Sequence, residues 1–263
     1  MSSHAIDKSV REQVKLHPWS RHITWGVTGS LGGLASPIGI ELRNLVYRAI
    51  FARVGCAVKI QPRVSFTDAG CIELGDRVTI SQGSCLESRG KALIVLASNV
   101  FLDRDVRISC GTGDGIVHLQ AGVRCDRGVD IKAHGQGQTT IGRRTYIGPY
   151  SCLSGYGNIT IGSDCLIASH TSLYAHNYNF RNPDQLIRKQ GYSYKGIAIE
   201  DNCWLGSGVR ILDGITVGKG SIVGAGAVVT KDIPPNSIAV GTPAKVIGPR
   251  IQSGAIELEK GQG

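Results

Sequence analysis

The chain has few large aromatic residues and no segment typical of a secreted or membrane-spanning protein. It contains four Phe and three Trp in 263 residues, so a core built on bulky rings is not expected. The N-terminus MSSHAIDKSVREQVK lacks the apolar core of a signal peptide, and we expect no secretion. Residues 23–40 carry no formal charge but hold five glycines and Pro37, a composition unsuited to a membrane span.

The eight cysteines show no C-x-x-C spacing. A chain of this length can bury a core without disulfides, so reduced thiols in a cytoplasm are the better interpretation. The net charge of +9 suits an anionic partner, such as a phosphorylated cofactor, a polyanionic substrate or a membrane surface. Nucleic acid has only this charge in its favour, because no aromatic platform or recognition motif accompanies it, and we expect no nucleic-acid partner.

Glycine, by contrast, is plentiful at 36 residues, and apolar residues recur every six positions. The period is strict from Ile199 to Val229, and it returns upstream in groups of three separated by short insertions. The groups are Val54/Ile60/Phe66, Leu74/Ile80/Leu86, Leu96/Leu102/Ile108, Leu119/Cys125/Ile131, Ile141/Ile147/Leu153 and Ile161/Ile167/Leu173. A small or β-branched residue stands two places before the second and third members, which is the spacing of side chains on one face of a strand.

Three six-residue sides complete one turn of a triangular prism, so insertions after every third hexad leave from one edge. The pattern predicts an all-β solenoid, a parallel β-helix of about eight coils; strands of a propeller or sandwich would be spaced roughly eight to twelve residues apart. We assign residues 1–53 to an N-terminal segment with an amphipathic capping helix and 54–233 to the β-helix. The loop 174–198 projects from it, and residues 234–263 form a C-terminal extension.

The capping helix is predicted from Ser36-Pro37, a helix-start signal, and from an apolar stripe that begins at Ile38. Such a helix would cover the first coil of the solenoid, whose strand edges and apolar face are otherwise open. The flanking arginines also allow a helix that lies on a membrane surface, and the two roles can coexist. We expect a cytoplasmic protein, with peripheral contact at the inner membrane face through this helix as the alternative.

The segments IGSDCLIAS and IEDNCWLGSGVRILDGITVGKGSIVGAGAVVTKDIPPNSIAVGTPAKVI resemble the hexapeptide-repeat acyltransferases, and within them the maltose, galactoside and surface-polysaccharide O-acetyltransferases. The resemblance is specific over residues 140–250, rests on the repeat alone over 54–140, and does not reach the first 50 residues. It implies a left-handed coil, which the spacing alone does not show. It also implies acetyl-CoA as co-substrate, no metal, and a homotrimer with active sites between subunits.

The resemblance assigns the catalytic base to His176 in LYAHNYNF, which would take the proton from an acceptor hydroxyl that attacks the thioester directly. Asn177, Tyr178, His170 and His134 are candidates for acceptor contacts. The positions matching the CoA site are Trp204, Gly206, Ser207, Ala225, Thr230, Lys231 and Lys245, with Arg250 nearby. Lys231 and Lys245 would meet phosphates, and a backbone N–H near Ser207 would stabilise the oxyanion. The tight corners of a coil account for the glycines and the alanine equally well.

The acceptor site departs from the family pattern. Maltose and galactoside enzymes carry an asparagine and an aspartate at places that fall near Gly148-Pro149 and Tyr156, where neither residue occurs. The sequence therefore favours a surface-polysaccharide or lipid-linked saccharide acceptor. Three alternatives stay open: N-acetylation of an amino sugar or nucleotide sugar, a non-catalytic β-helix, and a zinc γ-carbonic-anhydrase-like prism. The last needs three convergent histidines, of which His170 and His176 would supply two.

Overall fold

The computed structural model describes residues 46–250, and within them the chain winds into a triangular prism of eight coils. Each coil contributes one strand to each of three parallel sheets, in the order sheet A, sheet B, sheet C. Among these residues, helical structure is confined to 46–50 and to two short 3-10 turns, Ala69–Cys71 and Ile187–Lys189. The prediction of an all-β solenoid of about eight coils is confirmed.

The strands are short, and successive coils stack in register. Sheet A contains Arg53–Val54, Ile72–Leu74, Leu93–Leu96, Ile116–Leu119, Gln138–Ile141, Ile159–Ile161, Ile197–Ile199 and Thr216–Val217. Sheet B contains Lys59–Ile60, Thr79–Ile80, Phe101–Leu102, Arg124–Cys125, Tyr146–Ile147, Leu166–Ile167, Trp204–Leu205, Ile222–Val223, Ser237–Gly241 and Ala244–Pro249. Sheet C contains Ser65–Thr67, Cys85–Gly90, Arg107–Gly113, Asp130–Ala133, Cys152–Gly155, Ser172–Ala175, Arg210–Ile211 and Val228–Val229. A separate antiparallel pair, Asn177–Tyr178 with Tyr192–Ser193, lies in the projecting loop.

The six-residue period arises because each side of the prism ends in one buried apolar residue and one tight corner. The apolar positions predicted from the sequence are buried, apart from Val54, which is half-buried. Three residues after such a position the backbone turns through the left-handed region, with φ of 56° at Arg144 and 58° at Tyr150. Between sheets C and A the earlier coils lack this corner and carry the predicted insertions, whereas the coil after Ile211 keeps it, with φ of 83° at Gly214.

The small residues that precede each apolar position point into the prism as expected. Cys165 and Cys203 are buried there, and Cys125 is fully buried at one of the apolar positions themselves, where burial raises the pKa of its thiol to about 12. The hydroxyl groups at equivalent positions are satisfied by carbonyls; Thr145 Oγ1 donates to Gly162 O at 2.7 Å. Polar side chains are therefore tolerated at these corners because each finds a backbone acceptor.

The N-terminal end of the prism is closed by a small aromatic cluster. Tyr47, Phe51 and Phe66 are almost fully buried, and their ring centroids lie 4.8–5.8 Å apart. Few aromatic residues are present, yet three of them meet at the one place where a solenoid has to cover its first coil. This agrees with a capping helix, although its predicted start at Ser36-Pro37 and most of its apolar stripe lie outside the described residues.

At the other end, residues 237–249 extend sheet B. Ser237–Gly241 runs parallel to Ile222–Val223, and Ala244–Pro249 folds back antiparallel to it. The segment that the sequence assigns to a C-terminal extension thus lengthens this sheet up to its described limit at Arg250. The domain boundaries at 53 and 233 remain predictions. No helix within residues 46–250 has the length and apolar character needed to cross a membrane.

Candidate active site

The long loop leaves the prism at the edge between sheets C and A, after Ser172–Ala175, and returns at Ile197–Ile199. The side chain of Asp213, on the next coil, is hydrogen-bonded to both ends of the loop. Its carboxylate accepts hydrogen bonds from the backbone N–H of Lys195 at 2.9 Å and of Gly196 at 2.8 Å, and from Asn177 Nδ2 at 3.4 Å. The loop is therefore held in a fixed position where it meets the coils.

His176 lies at the start of this loop, half-buried among tyrosines. Its ring is nearly perpendicular to those of Tyr156, Tyr174 and Tyr178, at centroid distances of 5.7, 6.5 and 6.1 Å. Nδ1 is enclosed and has no hydrogen-bond partner among residues 46–250, whereas Nε2 is not enclosed in this way. Nε2 is thus the nitrogen that a substrate can reach.

Tyr156 connects this histidine to the rest of the loop. Its ring lies between the rings of His134, at 5.0 Å, and Tyr192, at 4.0 Å, in a stack that follows the prism axis. Ser154 Oγ lies 3.4 Å from His134 Nε2. Burial, with smaller contributions from the charges of His176 and Lys132, lowers the pKa of His134. Three separate insertions each contribute one ring to this stack, and through it the long loop contacts the prism.

Sequence reasoning did not identify Tyr174, Tyr192 or Asp213 as parts of this site, and it named Tyr156 only as a departure from the family pattern. Their one sequence signal is position, since Tyr156 and Tyr192 fall in insertions at the same edge as His176. His134, Asn177 and Tyr178, predicted acceptor contacts, lie at this edge with His176. Their roles stay predictions.

Several of the predicted CoA-site residues form a second group, at the corner between sheets B and C. Gly206, Ser207 and Ala225 stack on adjacent coils there, and a Cβ at Gly206 would lie 2.6 Å from the backbone nitrogen of Ala225. Close coil packing alone thus requires this glycine. The backbone N–H of Ser207 donates no hydrogen bond within the described part of the chain. Trp204 lies beside this corner on the outer face of sheet B, 52% exposed.

The remaining candidates are divided among the edges. Thr230 and Lys231 follow Val228–Val229 and lie exposed at the edge that carries the loop, while Lys245 is exposed on the last strand of sheet B. Arg250 Nη1 donates to Gly220 O at 3.0 Å, at the corner between sheets A and B.

His170 belongs to the corner between sheets B and C, where its ring stacks on that of Tyr150 at 5.4 Å, and not to the group around His176. One prism therefore presents the base and the predicted oxyanion donor on different edges.

The described residues contain no group of three or more His, Cys, Asp and Glu side chains arranged to hold a metal ion. His170 and His176, the two histidines that a zinc site would need to share, lie at different corners of the prism. Within a single chain, the chemistry available is that of histidine side chains as acids or bases and of backbone N–H groups as hydrogen-bond donors.

Comparison with known proteins agrees with the architecture. The family model for bacterial transferase hexapeptide (six repeats) matches residues 196–231. Galactoside O-acetyltransferase of Escherichia coli (strain K12) is 43% identical over 90 residues, which are 34% of this chain and 43% of that protein. A Schizosaccharomyces pombe protein named as an acetyltransferase is 47% identical over 92 residues, 34% of this chain and 42% of its own. The chain spans about half the length of the curated relatives it matches.

Among solved structures, the polySia specific acetyltransferase NeuO superposes with a TM-score of 0.57 and 26% identity, covering 80% of this chain and 92% of NeuO. Such a likeness extends through the coils upstream of the matched repeats. Residues 196–231 thus match the hexapeptide-repeat transferase family, and the prism has a left-handed parallel β-helix fold like that of the similar acetyltransferases.

Proposed function

We propose that this chain is an acetyl-CoA-dependent O-acetyltransferase that acetylates a hydroxyl of a saccharide. The observation that carries the proposal is the setting of His176, at the mouth of the longest insertion, with Nδ1 enclosed and Nε2 open to a substrate. The relatives named as acetyltransferases support the same reaction class.

In the proposed reaction, Nε2 of His176 takes the proton of the acceptor hydroxyl as its oxygen attacks the acetyl thioester carbonyl. The tetrahedral oxyanion is stabilised by the backbone N–H of Ser207, which is free among the described residues. Collapse breaks the carbon–sulfur bond, and the CoA thiolate leaves and takes the proton from the imidazolium. No covalent enzyme intermediate is needed.

The site requires a second copy of the chain. Because His176 and Ser207 lie on different edges of one prism, a neighbouring prism has to bring its Ser207 corner to the loop of the first. A closed ring of three prisms satisfies this requirement three times over. We therefore propose a homotrimer in the cytoplasm, with acetyl-CoA held between subunits by Trp204 and Lys231 among others.

We propose a surface-polysaccharide or lipid-linked saccharide as the acceptor. Tyr156, stacked between two rings, occupies a place where maltose and galactoside enzymes carry a hydrogen-bonding side chain. The specificity of NeuO for polySia supports a polymeric acceptor.

The test is acetyl transfer from acetyl-CoA to a panel of saccharides and amino sugars, with wild type and His176→Ala. We expect the variant to lose roughly 10²- to 10⁴-fold in kcat, the usual contribution of a positioned base. CoA affinity, measured on the same preparation, should be unchanged, because the predicted CoA positions lie outside the loop. A variant that keeps most of its activity would show that His176 is not the base, and transfer to amino groups alone would replace O-acetylation by N-acetylation.

A further inference from the structure

The part of the loop beyond His176 encloses a cleft of about 900 Å3. Asn177, Tyr178, Phe180, Arg181 and Lys189 contribute to its lining. Tyr178 also contacts the ring of His176, so one wall of the cleft adjoins the proposed base. The cleft is open to solvent, and nothing assigned so far accounts for it.

The backbone around the cleft is fixed by one side chain, that of Gln190. Its Nε2 donates to Asn182 O at 2.8 Å and to Gln185 O at 2.7 Å, and its Oε1 accepts from the backbone N–H of Asn182 at 3.1 Å. Its own carbonyl accepts from Asn179 Nδ2 at 3.1 Å. The amide groups of the loop are thus used to hold its shape, so the cleft exists before any ligand arrives.

The cations of the cleft are not used in this way. Residues 177–196 contain four basic side chains, Arg181, Arg188, Lys189 and Lys195, against one acidic side chain, that of Asp184. Four ion pairs join described residues, and all of them lie on the coils. Arg181 and Lys189 therefore face the cleft with their charges unpaired by any residue between 46 and 250.

Two aromatic side chains complete the lining. Tyr178 is 59% and Phe180 71% exposed, and both line the cleft. Exposed aromatic rings offer a negative π-face, to which the C–H groups of a pyranose ring are attracted. Unpaired cations beside exposed rings match a ligand that is both a sugar and an anion.

We propose that this cleft binds an acidic saccharide: Arg181 and Lys189 bind its oxyanion, Tyr178 and Phe180 contact a sugar face, and a hydroxyl is presented to His176. The presentation step rests on the proposed acetyl transfer, whereas the binding step stands without it. The oxyanion is a ring carboxylate or a phosphate, and the two sources are separated by the choice of probe.

The experiment is calorimetric titration at low ionic strength without acetyl-CoA. The probes are tetragalacturonate, its neutral methyl ester, a sialic acid tetramer and UDP-N-acetylglucosamine. We expect at least one charged probe to bind about tenfold more tightly than the methyl ester, and salt to weaken that binding. Binding of the carboxylate probes identifies a carboxylate ligand, and binding of the nucleotide sugar alone identifies a phosphate.

Variants locate the binding in the cleft. Arg181→Ala and Lys189→Ala should each weaken the charged probe about tenfold, the usual loss for a charge-assisted hydrogen bond. Arg188→Ala makes the same charge change in the same loop but outside the cleft, and should alter affinity less than about threefold. Two results would overturn the proposal. One is equal affinity for tetragalacturonate and its ester with no binding of the other charged probes, and the other is an equal loss of affinity in all three variants.

The same variants separate this proposal from the reaction itself. Acetyl transfer to an acidic saccharide that is unaffected by Arg181→Ala would uphold the acetyltransferase and overturn the acidic cleft. Binding that depends on Arg181 and Lys189, in a protein that transfers no acetyl group, would uphold the acidic cleft and overturn the acetyltransferase.

Discussion

Replacing Tyr156 by alanine removes the ring that joins the loop to the prism, and we expect it to open the loop without unfolding the coils. The ring stacks on Tyr192 at 4.0 Å and meets His176 edge-on at 5.7 Å. Both partners belong to the loop or its start, whereas Tyr156 itself projects from the coil below. The substitution thus removes two contacts that exist only while the loop is closed.

The magnitude follows from those two contacts. An aromatic pair contributes about 0.5–1.5 kcal/mol beyond the area it buries, so two pairs hold the loop closed by about 1–3 kcal/mol. At about 1.4 kcal/mol for each factor of ten, the open state becomes roughly five to 150 times more populated. Amide hydrogen exchange reports this directly, because the N–H groups of Lys195 and Gly196 donate to the Asp213 carboxylate on the coil and exchange when the loop leaves it.

Exchange at Lys195 and Gly196 should accelerate by that factor in Tyr156→Ala, while amides within the coils exchange as in wild type. Tyr156→Phe keeps the ring contacts, loses only the hydroxyl that is hydrogen-bonded to Tyr192, and should accelerate exchange much less than Tyr156→Ala. Tyr194→Ala, also in the loop but without these ring contacts, is the matched control. Unchanged exchange at Lys195 and Gly196 in Tyr156→Ala would refute the reasoning, as would equal acceleration in Tyr194→Ala.

Three further predictions concern stability. Phe51→Ala removes a ring from the buried cluster over the first coil and should cost about 3–5 kcal/mol in urea unfolding; a loss below about 1 kcal/mol would show that the cluster is not a cap. Gly206→Ala brings a Cβ to 2.6 Å from Ala225 N and should lower the melting temperature through a cost of about 1–3 kcal/mol, which an unchanged transition would contradict. Burial lowers the pKa of His118, so the folded state binds fewer protons than the unfolded state. Wild type should therefore lose stability as pH falls through about 6.5, and His118→Gln should lose less. Equal losses of stability in the two proteins would contradict this origin of the pH dependence.

The coils could be predicted from the sequence because their rule is local. Each side of the prism needs a buried apolar residue every sixth place, and a sequence displays that requirement directly, as from Ile199 to Val229. The edge of the insertions followed from counting three sides per coil. Even Cys125, an unlikely member of an apolar series, occupies the interior position that the count assigned to it.

The surroundings of His176 were not predictable in the same way. Tyr156 and Tyr192 are 36 residues apart and neither occupies a position of the six-residue series, yet their rings stack at 4.0 Å. Their contact depends on how far each insertion reaches from the prism, and no local pattern encodes that distance. Asp213 is similar: it occupies an ordinary corner of a regular coil, and its role appears only when the loop returns to meet it.

The geometry of the prism explains why such contacts gather at one edge. Parallel strands stack about 4.8 Å apart, which is close to the spacing of stacked aromatic rings. An aromatic residue placed in consecutive insertions therefore stacks on its neighbour, as His134, Tyr156 and Tyr192 do at 5.0 and 4.0 Å. Because these insertions carry none of the hexad positions, their length and composition can change without disturbing the buried core. The edge between sheets C and A is thus where the fold can vary what it binds, and the long loop with its cationic cleft is the largest such variation in the described chain.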